Sequence, residues 1–142
     1  MAPISCAYWP PRARLHASRE EKEKITETVK ELAQGRVPIL KYCGGNNTRA
    51  VVEEIQNTDW TGIDGILSIC PYYNKPSQEG LYKHFKAISA VSPLPIVLYN
   101  VPGRTGVNLK PDTLVRLARE CDNIVAVKEA SGSLEQGDEI IK

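Results

Sequence analysis

The sequence lacks several features that would assign a class of function at once. Its 18 Lys and Arg residues balance 17 Asp and Glu residues, and a net charge of +1 does not indicate a nucleic-acid or anionic-membrane partner. No apolar run approaches the roughly 20 residues of a membrane span. The first 17 residues have no apolar segment of the kind found in signal peptides. We therefore expect no nucleic-acid partner, no membrane and a cytoplasmic location.

Patterns typical of metal sites and disulfides are also absent. The sequence has four cysteines, which are far apart and form no C-x-x-C pair: Cys6, Cys43, Cys70 and Cys121. We expect ordinary thiols there rather than disulfides or metal ligands. The two histidines, His16 and His84, lack the spacing of a ligand set, so no metal site is predicted.

The nucleotide-binding motifs are missing as well. In GGNNT (44–48) two glycines precede a helical pattern, an arrangement whose backbone N–H groups can bind an anion. The segment lacks the G-K-[ST] ending of a P-loop, and the sequence contains no G-x-G-x-x-G. A tight turn is the favoured interpretation, with Thr48 as the candidate helix cap.

Four short apolar segments recur at a constant interval. They are VPIL (37–40), ILSIC (66–70), PIVLY (95–99) and IVAV (124–127), so that successive segments begin 29 residues apart. Amphipathic helical patterns occupy residues 18–34, 48–57, 77–91 and 111–121. The first of these patterns opens with Ser18 and Glu21, which have the spacing of a capping box.

This alternation of strands and helices predicts an α/β fold with a parallel sheet covered by helices. The regular interval favours a (β/α)8 TIM barrel, and an open doubly wound sheet is the alternative. A complete eight-stranded barrel takes about 250 residues. Since the chain has 142 residues and four clear strands, we expect a partial barrel.

Polar and aromatic residues follow three successive predicted strands, in CPYYNKP (70–76), YNVPGRTG (99–106) and KEASG (128–132). Functional groups of parallel α/β proteins gather at these carboxyl ends. Tyr99 and Lys128 are one 29-residue interval apart, so we expect them side by side on neighbouring strands. The alternation of side chains places Lys128 and Ala126 on one face of the sheet and Glu129 on the other.

Lys128 is the candidate nucleophile. A lysine that loses hydration at a strand end releases its amine more readily, and a free amine attacks a ketone to form a Schiff base. Tyr99 is a candidate proton relay, and Arg104, in a loop flanked by glycines, is a candidate ligand for a substrate carboxylate. The alternative for Lys128 is a side chain that extends into solvent and has no catalytic role. The paired tyrosines of PYYNKP indicate either core packing or a role in the site.

Four segments together resemble the dihydrodipicolinate synthase family: GRVPILKYCGGNNT, DGILSICPYYNKPSQEGLYKHFKAI, PLPIVLYNVPGRTG and NIVAVKEASG. The resemblance covers about residues 18–142. It implies a class I, Schiff-base (β/α)8 barrel related to N-acetylneuraminate lyase, present here as about strands 3–6. It also implies condensation of pyruvate with L-aspartate 4-semialdehyde in lysine and diaminopimelate biosynthesis. It further implies a homotetramer, and no cofactor other than a covalent imine on the protein.

The resemblance assigns roles to individual residues. It implies that Lys128 binds pyruvate as an imine, that Tyr99 relays protons and that Arg104 helps to bind aspartate semialdehyde. Tyr73 matches the tyrosine that family members pass across a subunit interface into the neighbouring relay. PYYNKP and Arg104 favour the synthases over the lyases. Another Schiff-base keto-acid aldolase, such as N-acetylneuraminate lyase, and a degenerate barrel fragment without turnover are the alternatives.

Two features depart from the family pattern. Asn46 and Tyr72 match positions that bind feedback lysine in regulated members, but Ala50 stands where some of those members have glutamate, which argues against regulation. Where the family has G-T-T-G-E, the chain reads CAYWPPRARLHA (6–17), and PPRAR fits neither strand nor helix. We therefore divide the chain into an atypical segment (1–17) and a partial barrel (18–142). We expect a truncated or frame-altered product that is at best weakly active.

Overall fold

The computed structural model describes residues 18–142. In this range helices and strands alternate in the order α1 (Arg19–Ala33), β1 (Leu40–Tyr42), α2 (Thr48–Gln56), β2 (Gly65–Ile69), α3 (Gln78–Val91), β3 (Ile96–Asn100), α4 (Pro102–Thr105), α5 (Pro111–Glu120), β4 (Ile124–Glu129) and α6 (Leu134–Ile141). The atypical segment predicted for residues 1–17, with Cys6 and His16, lies outside the described residues.

The starts of the first two helices follow from their capping residues. At α1 the Ser18 hydroxyl accepts a hydrogen bond from the Glu21 backbone N–H (3.2 Å), and the Glu21 carboxylate accepts one from the Ser18 N–H (2.6 Å). The predicted capping box is therefore confirmed. The predicted cap at Thr48 is wrong by one residue, because Asn47 caps α2 by accepting from the Ala50 N–H (3.3 Å). The Thr48 hydroxyl is instead hydrogen bonded to His84 Nδ1, at 2.8 Å.

The four strands form one parallel sheet in the order β1-β2-β3-β4, as the alternating pattern predicts. The first strand is displaced from its predicted position, since β1 begins at Leu40 rather than at Val37. Pro38 has no N–H to donate, and the Ile39 N–H donates to the Asp64 carboxylate (2.8 Å) instead of to a neighbouring strand. The continuous strand consequently starts at Leu40, opposite Gly65, although the Ile39 carbonyl already accepts from the Asp64 N–H at 3.0 Å.

The two faces of the sheet have different surroundings. One face packs against the helices and contains the main core, in which Phe85, Leu81 and Ile88 of α3 are fully buried. The opposite face carries a smaller apolar cluster: Leu67, Ile69, Tyr99 and Val101, with Leu40, Tyr42, Tyr72 and Val97 packed against it. Tyr99 therefore belongs to the face that the helices do not cover.

Membrane spans, metal sites and cysteines can be described for residues 18–142. No helix in this range is long and apolar enough to cross a bilayer, and no group of three His, Cys, Asp or Glu side chains there is arranged to hold a metal. Cys43, Cys70 and Cys121 are buried, and none of the three forms a disulfide within residues 18–142. Burial raises the pKa of Cys70 to about 12, so this thiol is a poor nucleophile at neutral pH.

Candidate active site

The carboxyl ends of β3 and β4 bring Tyr99 and Lys128 together. The two residues are direct partners in the parallel register, and Lys128 Nζ lies 4.5 Å from the centroid of the Tyr99 ring. This distance is within the range of a cation–π contact. The prediction that the phenol and the amine are neighbours, which rested on the 29-residue interval, is confirmed.

The surroundings of the two side chains differ from the expectation. Tyr99 is 7 % exposed, but Lys128 is an exposed side chain. The expected loss of hydration at Lys128 is therefore wrong for this arrangement. Within residues 18–142, β4 has a neighbouring strand on one side only, and no helix covers its Lys128 face. An additional layer over that face would be needed to remove the amine from water.

Arg104 lies on the single turn of α4, which follows β3 directly. The turn begins at Pro102 and ends at Gly106, whose φ of 75° and N–H bond to the Pro102 carbonyl (2.8 Å) close it. Inside the turn, the buried Thr105 hydroxyl donates to backbone carbonyls of Val101 and Val107 (3.2 and 3.0 Å). The sequence predicted a loop, and the structure shows a short helix with an exposed Arg104 at the same edge of the sheet as Tyr99.

The two tyrosines after β2 have different environments. Tyr72 packs on the apolar cluster that contains Tyr99, whereas Tyr73 is 90 % exposed. The backbone at Tyr73 and at Lys75 has positive φ (74° and 42°), a conformation that is strained for residues other than glycine. The structure thus joins Tyr72 to the Tyr99 cluster and directs Tyr73 away from it.

The loop that contains Tyr72 contacts the GGNNT turn. Asn74 Nδ2 donates to the Asn46 carbonyl at 3.1 Å, which places the predicted lysine-binding positions Asn46 and Tyr72 on adjacent loops. Gly44 is required by close packing, because a Cβ there would lie 3.0 Å from the backbone nitrogen of Ile69. The segment is a short connection between β1 and α2, with the helix cap at Asn47 rather than at the predicted Thr48.

A polar network behind the site was not predicted. Asn100 and Glu129 follow Tyr99 and Lys128 in the chain and are also register partners. Asn100 Nδ2 donates to a Glu129 carboxylate oxygen at 2.9 Å. Burial tends to raise the pKa of Glu129, but hydrogen bonds from Asn100, Ser131 and Gln136 outweigh it and hold the pKa below its ordinary value. The only signal in the sequence was that a polar residue follows each of the candidate catalytic residues Tyr99 and Lys128.

Comparison with known proteins identifies the family. The profile of the Dihydrodipicolinate synthetase family matches residues 14–142, which is nearly the whole chain. The chain belongs to this family. A 4-hydroxy-tetrahydrodipicolinate synthase from Parabacteroides distasonis is 58 % identical over 125 residues, which are 88 % of this chain and 42 % of the relative.

Solved structures of dihydrodipicolinate synthases share the fold. One superposes with a TM-score of 0.87 at 46 % identity and is matched over 96 % of this chain and 47 % of its own. Another, described as the first monomeric dihydrodipicolinate synthase variant, gives 0.86 at 40 % identity over 91 % of this chain and 43 % of its own. The predicted partial (β/α) barrel is confirmed. The chain spans less than half the length of the relatives it matches.

Proposed function

We propose that the complete barrel to which these residues belong is a 4-hydroxy-tetrahydrodipicolinate synthase and that Lys128 is its Schiff-base nucleophile. The observation that carries the proposal is the register pairing of Lys128 with Tyr99, with the amine 4.5 Å from the ring centroid. Relatives that carry the name of this synthase, at up to 58 % identity, support the choice of reaction.

The proposed chemistry begins with the Lys128 amine. Its lone pair attacks the ketone carbon of pyruvate, and the resulting carbinolamine loses water to give an imine. The Tyr99 phenol donates a proton to the departing hydroxyl, which leaves as water and gives a protonated imine and a Tyr99 phenolate, and this phenolate accepts the proton that the methyl group then loses. The protonated imine withdraws electrons from the neighbouring methyl group, which loses a proton to form an enamine. The enamine carbon then attacks the aldehyde carbon of L-aspartate 4-semialdehyde.

This chemistry needs no separate cofactor, because the protonated imine is itself the electron sink. We assign Arg104 to the carboxylate of aspartate semialdehyde, since its exposed guanidinium follows β3 at the edge where Tyr99 ends. The reaction supplies lysine and diaminopimelate biosynthesis, and a cytoplasmic location is part of the proposal.

The proposal also covers the association of subunits and the binding of a regulatory amino acid. Tyr73, exposed and held in a strained backbone conformation, suits a residue that enters a neighbouring subunit of a homo-oligomer, which we propose is a tetramer. We propose Asn46 and Tyr72 as the positions that a feedback amino acid would contact. Their loops are joined through Asn74, which supports a shared site.

Hydrogen–deuterium exchange of the pyruvate methyl group tests the nucleophile without the second substrate. Imine and enamine interconvert, so the chain in D₂O should incorporate deuterium into pyruvate, as followed by proton NMR. Lys128→Arg should abolish this exchange, and Lys83→Arg, which changes an exposed lysine on α3, should retain it. Equal exchange in both variants would show that Lys128 is not the nucleophile.

A further inference from the structure

The direction of Lys128 depends on an irregularity in its strand. Ile96 pairs with Ile124 but Val97 pairs with Ala126, so Val125 is an extra residue without a partner on β3. Ile124 and Val127 both contact the helix-side core, although regular alternation would place residues three apart on opposite faces. The bulge therefore turns Ala126 and Lys128 onto the face of Tyr99.

This geometry makes the register of β4 decisive for the site. A slip of one residue moves every side chain of a strand to the other face. If the pairing after the bulge slipped, Lys128 would face the helices and its amine would lose the contact with Tyr99. The site therefore needs an interaction that fixes the register after Val125.

Asn100 and Glu129 supply such an interaction immediately after the reactive pair. Asn100 is fully buried, and its Nδ2 group donates to Glu129 Oε2 at 2.9 Å. The backbone continues the same pairing, because the Ala130 N–H donates to the Asn100 carbonyl at 2.9 Å. Both side chains lie on the face opposite to Tyr99 and Lys128, so they touch the strand ends and not the substrate face.

Two further amides extend the pair into a network. Asn108 Oδ1 accepts from Asn100 Nδ2 (2.8 Å), and Gln136 Nε2 donates to Glu129 Oε2 (2.9 Å). Asn108 and Gln136 are joined by bonds of 2.7 and 3.2 Å, so the four side chains form a closed ring. The ring connects the ends of β3 and β4 to the segment before α5 and to the first turn of α6.

The Glu129 carboxylate sets the direction of every hydrogen bond in this ring. A carboxylate only accepts, so Asn100 and Gln136 must both present N–H groups to it. Its second oxygen accepts from the Ser131 backbone N–H at 2.6 Å, and Asn100 Oδ1 accepts from the Leu109 N–H at 3.0 Å. The ring is therefore specific to one amide and one acid at these two strand positions.

We propose that Asn100 and Glu129 are positioning residues that lock the β3–β4 register after the Val125 bulge and so hold the Lys128 amine beside Tyr99. The expected effect of these two residues on the rate of adduct formation rests on the proposed imine chemistry of Lys128. Their effect on the β3–β4 register does not depend on that chemistry.

Single isosteric variants break the ring. In Glu129→Gln an N–H group faces donors from Asn100, Gln136 or Ser131, and in Asn100→Asp two carboxylates face each other. With pyruvate and excess cyanoborohydride, the maximal rate of adduct formation at Lys128 should fall about tenfold in each, as expected when a reacting group is misplaced. The half-saturating pyruvate concentration should stay within about twofold of the parent. Glu135→Gln, at an exposed acid of α6, should behave like the parent.

The swapped double variant, Asn100→Asp with Glu129→Gln, separates positioning from simple loss of stability. Rotating the amides of Asn108 and Gln136 by half a turn reverses every bond of the ring, and each donor then meets an acceptor again. We expect the maximal rate to return to within about threefold of the parent. A swap that is as slow as the single variants, in samples whose far-UV circular dichroism matches the parent, would overturn the proposal.

Backbone hydrogen exchange tests the lock without pyruvate. The amides of residues 126–129 should exchange about tenfold faster in each single variant and return toward the parent rate in the swap. If the parent forms no adduct at Lys128, the proposed function fails. The exchange measurement alone then tests whether Asn100 and Glu129 fix the β3–β4 register. Unchanged exchange in both single variants would overturn this role.

Discussion

Acidification from pH 7 to pH 5 should destabilise the folded chain through one buried histidine. His84 of α3 is 4 % exposed, and its Nδ1 atom is hydrogen bonded to the Thr48 hydroxyl at 2.8 Å. Its Nε2 atom has no hydrogen-bond partner among residues 18–142. Burial lowers the pKa of His84 from 6.5 to about 4, because the charged imidazolium would lose its hydration without gaining an anion.

The size of the effect follows from these two pKa values. Between pH 6.5 and pH 4 the unfolded chain binds a proton at His84 and the folded chain does not, so the free energy of unfolding falls as the pH falls. The expected loss is about 2 kcal/mol at pH 5 relative to pH 7, and it approaches about 3 kcal/mol below pH 4.

Urea unfolding followed by circular dichroism at pH 7, 6 and 5 measures this loss. His84→Asn is the matched control, because the amide can bond to Thr48 but does not titrate. His16 is present in both chains, and hydrogen bonds hold the pKa of Glu129 below its ordinary value in both. The parent should lose about 2 kcal/mol more than the variant. Equal losses in the two chains would refute the assignment of a neutral, buried His84.

Further expectations concern packing, catalysis and thiol reactivity. Gly44→Ala should lower the free energy of unfolding by about 1–3 kcal/mol, because its Cβ would lie 3.0 Å from a backbone nitrogen. Gly137→Ala in α6 should raise the free energy of unfolding by about 0.5–1 kcal/mol in the same urea assay, because the added Cβ would meet no atom of another segment within 4 Å. In a complete barrel Tyr99→Phe should slow turnover about 10²-fold, and Arg104→Ala should mainly raise the KM for aspartate semialdehyde in a coupled assay. Cys70 should resist iodoacetamide at pH 8 until urea unfolds the chain, as mass spectrometry would show.

The repeating pattern predicted the fold and the neighbouring positions of Tyr99 and Lys128. The 29-residue interval equals the observed register only after the Val125 bulge, where Tyr99 pairs with Lys128. The other strands pair at different offsets, because Leu40 pairs with Gly65 and Ile66 pairs with Ile96. The position of β1 was less predictable. Its start depends on a hydrogen bond from Ile39 to Asp64, 25 residues away, which no local pattern indicates.

Other features depend on contacts between distant segments. The bulge at Val125 was not predicted, because four successive apolar residues fit either face of a buried strand. The exposure of Lys128 depends on what covers its face of the sheet, which periodicity does not encode. The ring around Glu129 takes Asn108 from the segment before α5, so only the fold reveals it.

Borohydride trapping with pyruvate, followed by intact mass measurement and peptide mapping, tests the central claim most directly. Imine formation and reduction should add one N-carboxyethyl group, located on Lys128, because this lysine alone is the register partner of Tyr99. The adduct should be absent from Lys128→Arg and present in Lys83→Arg. Label spread over several surface lysines, or an equal yield in Lys128→Arg, would contradict the account.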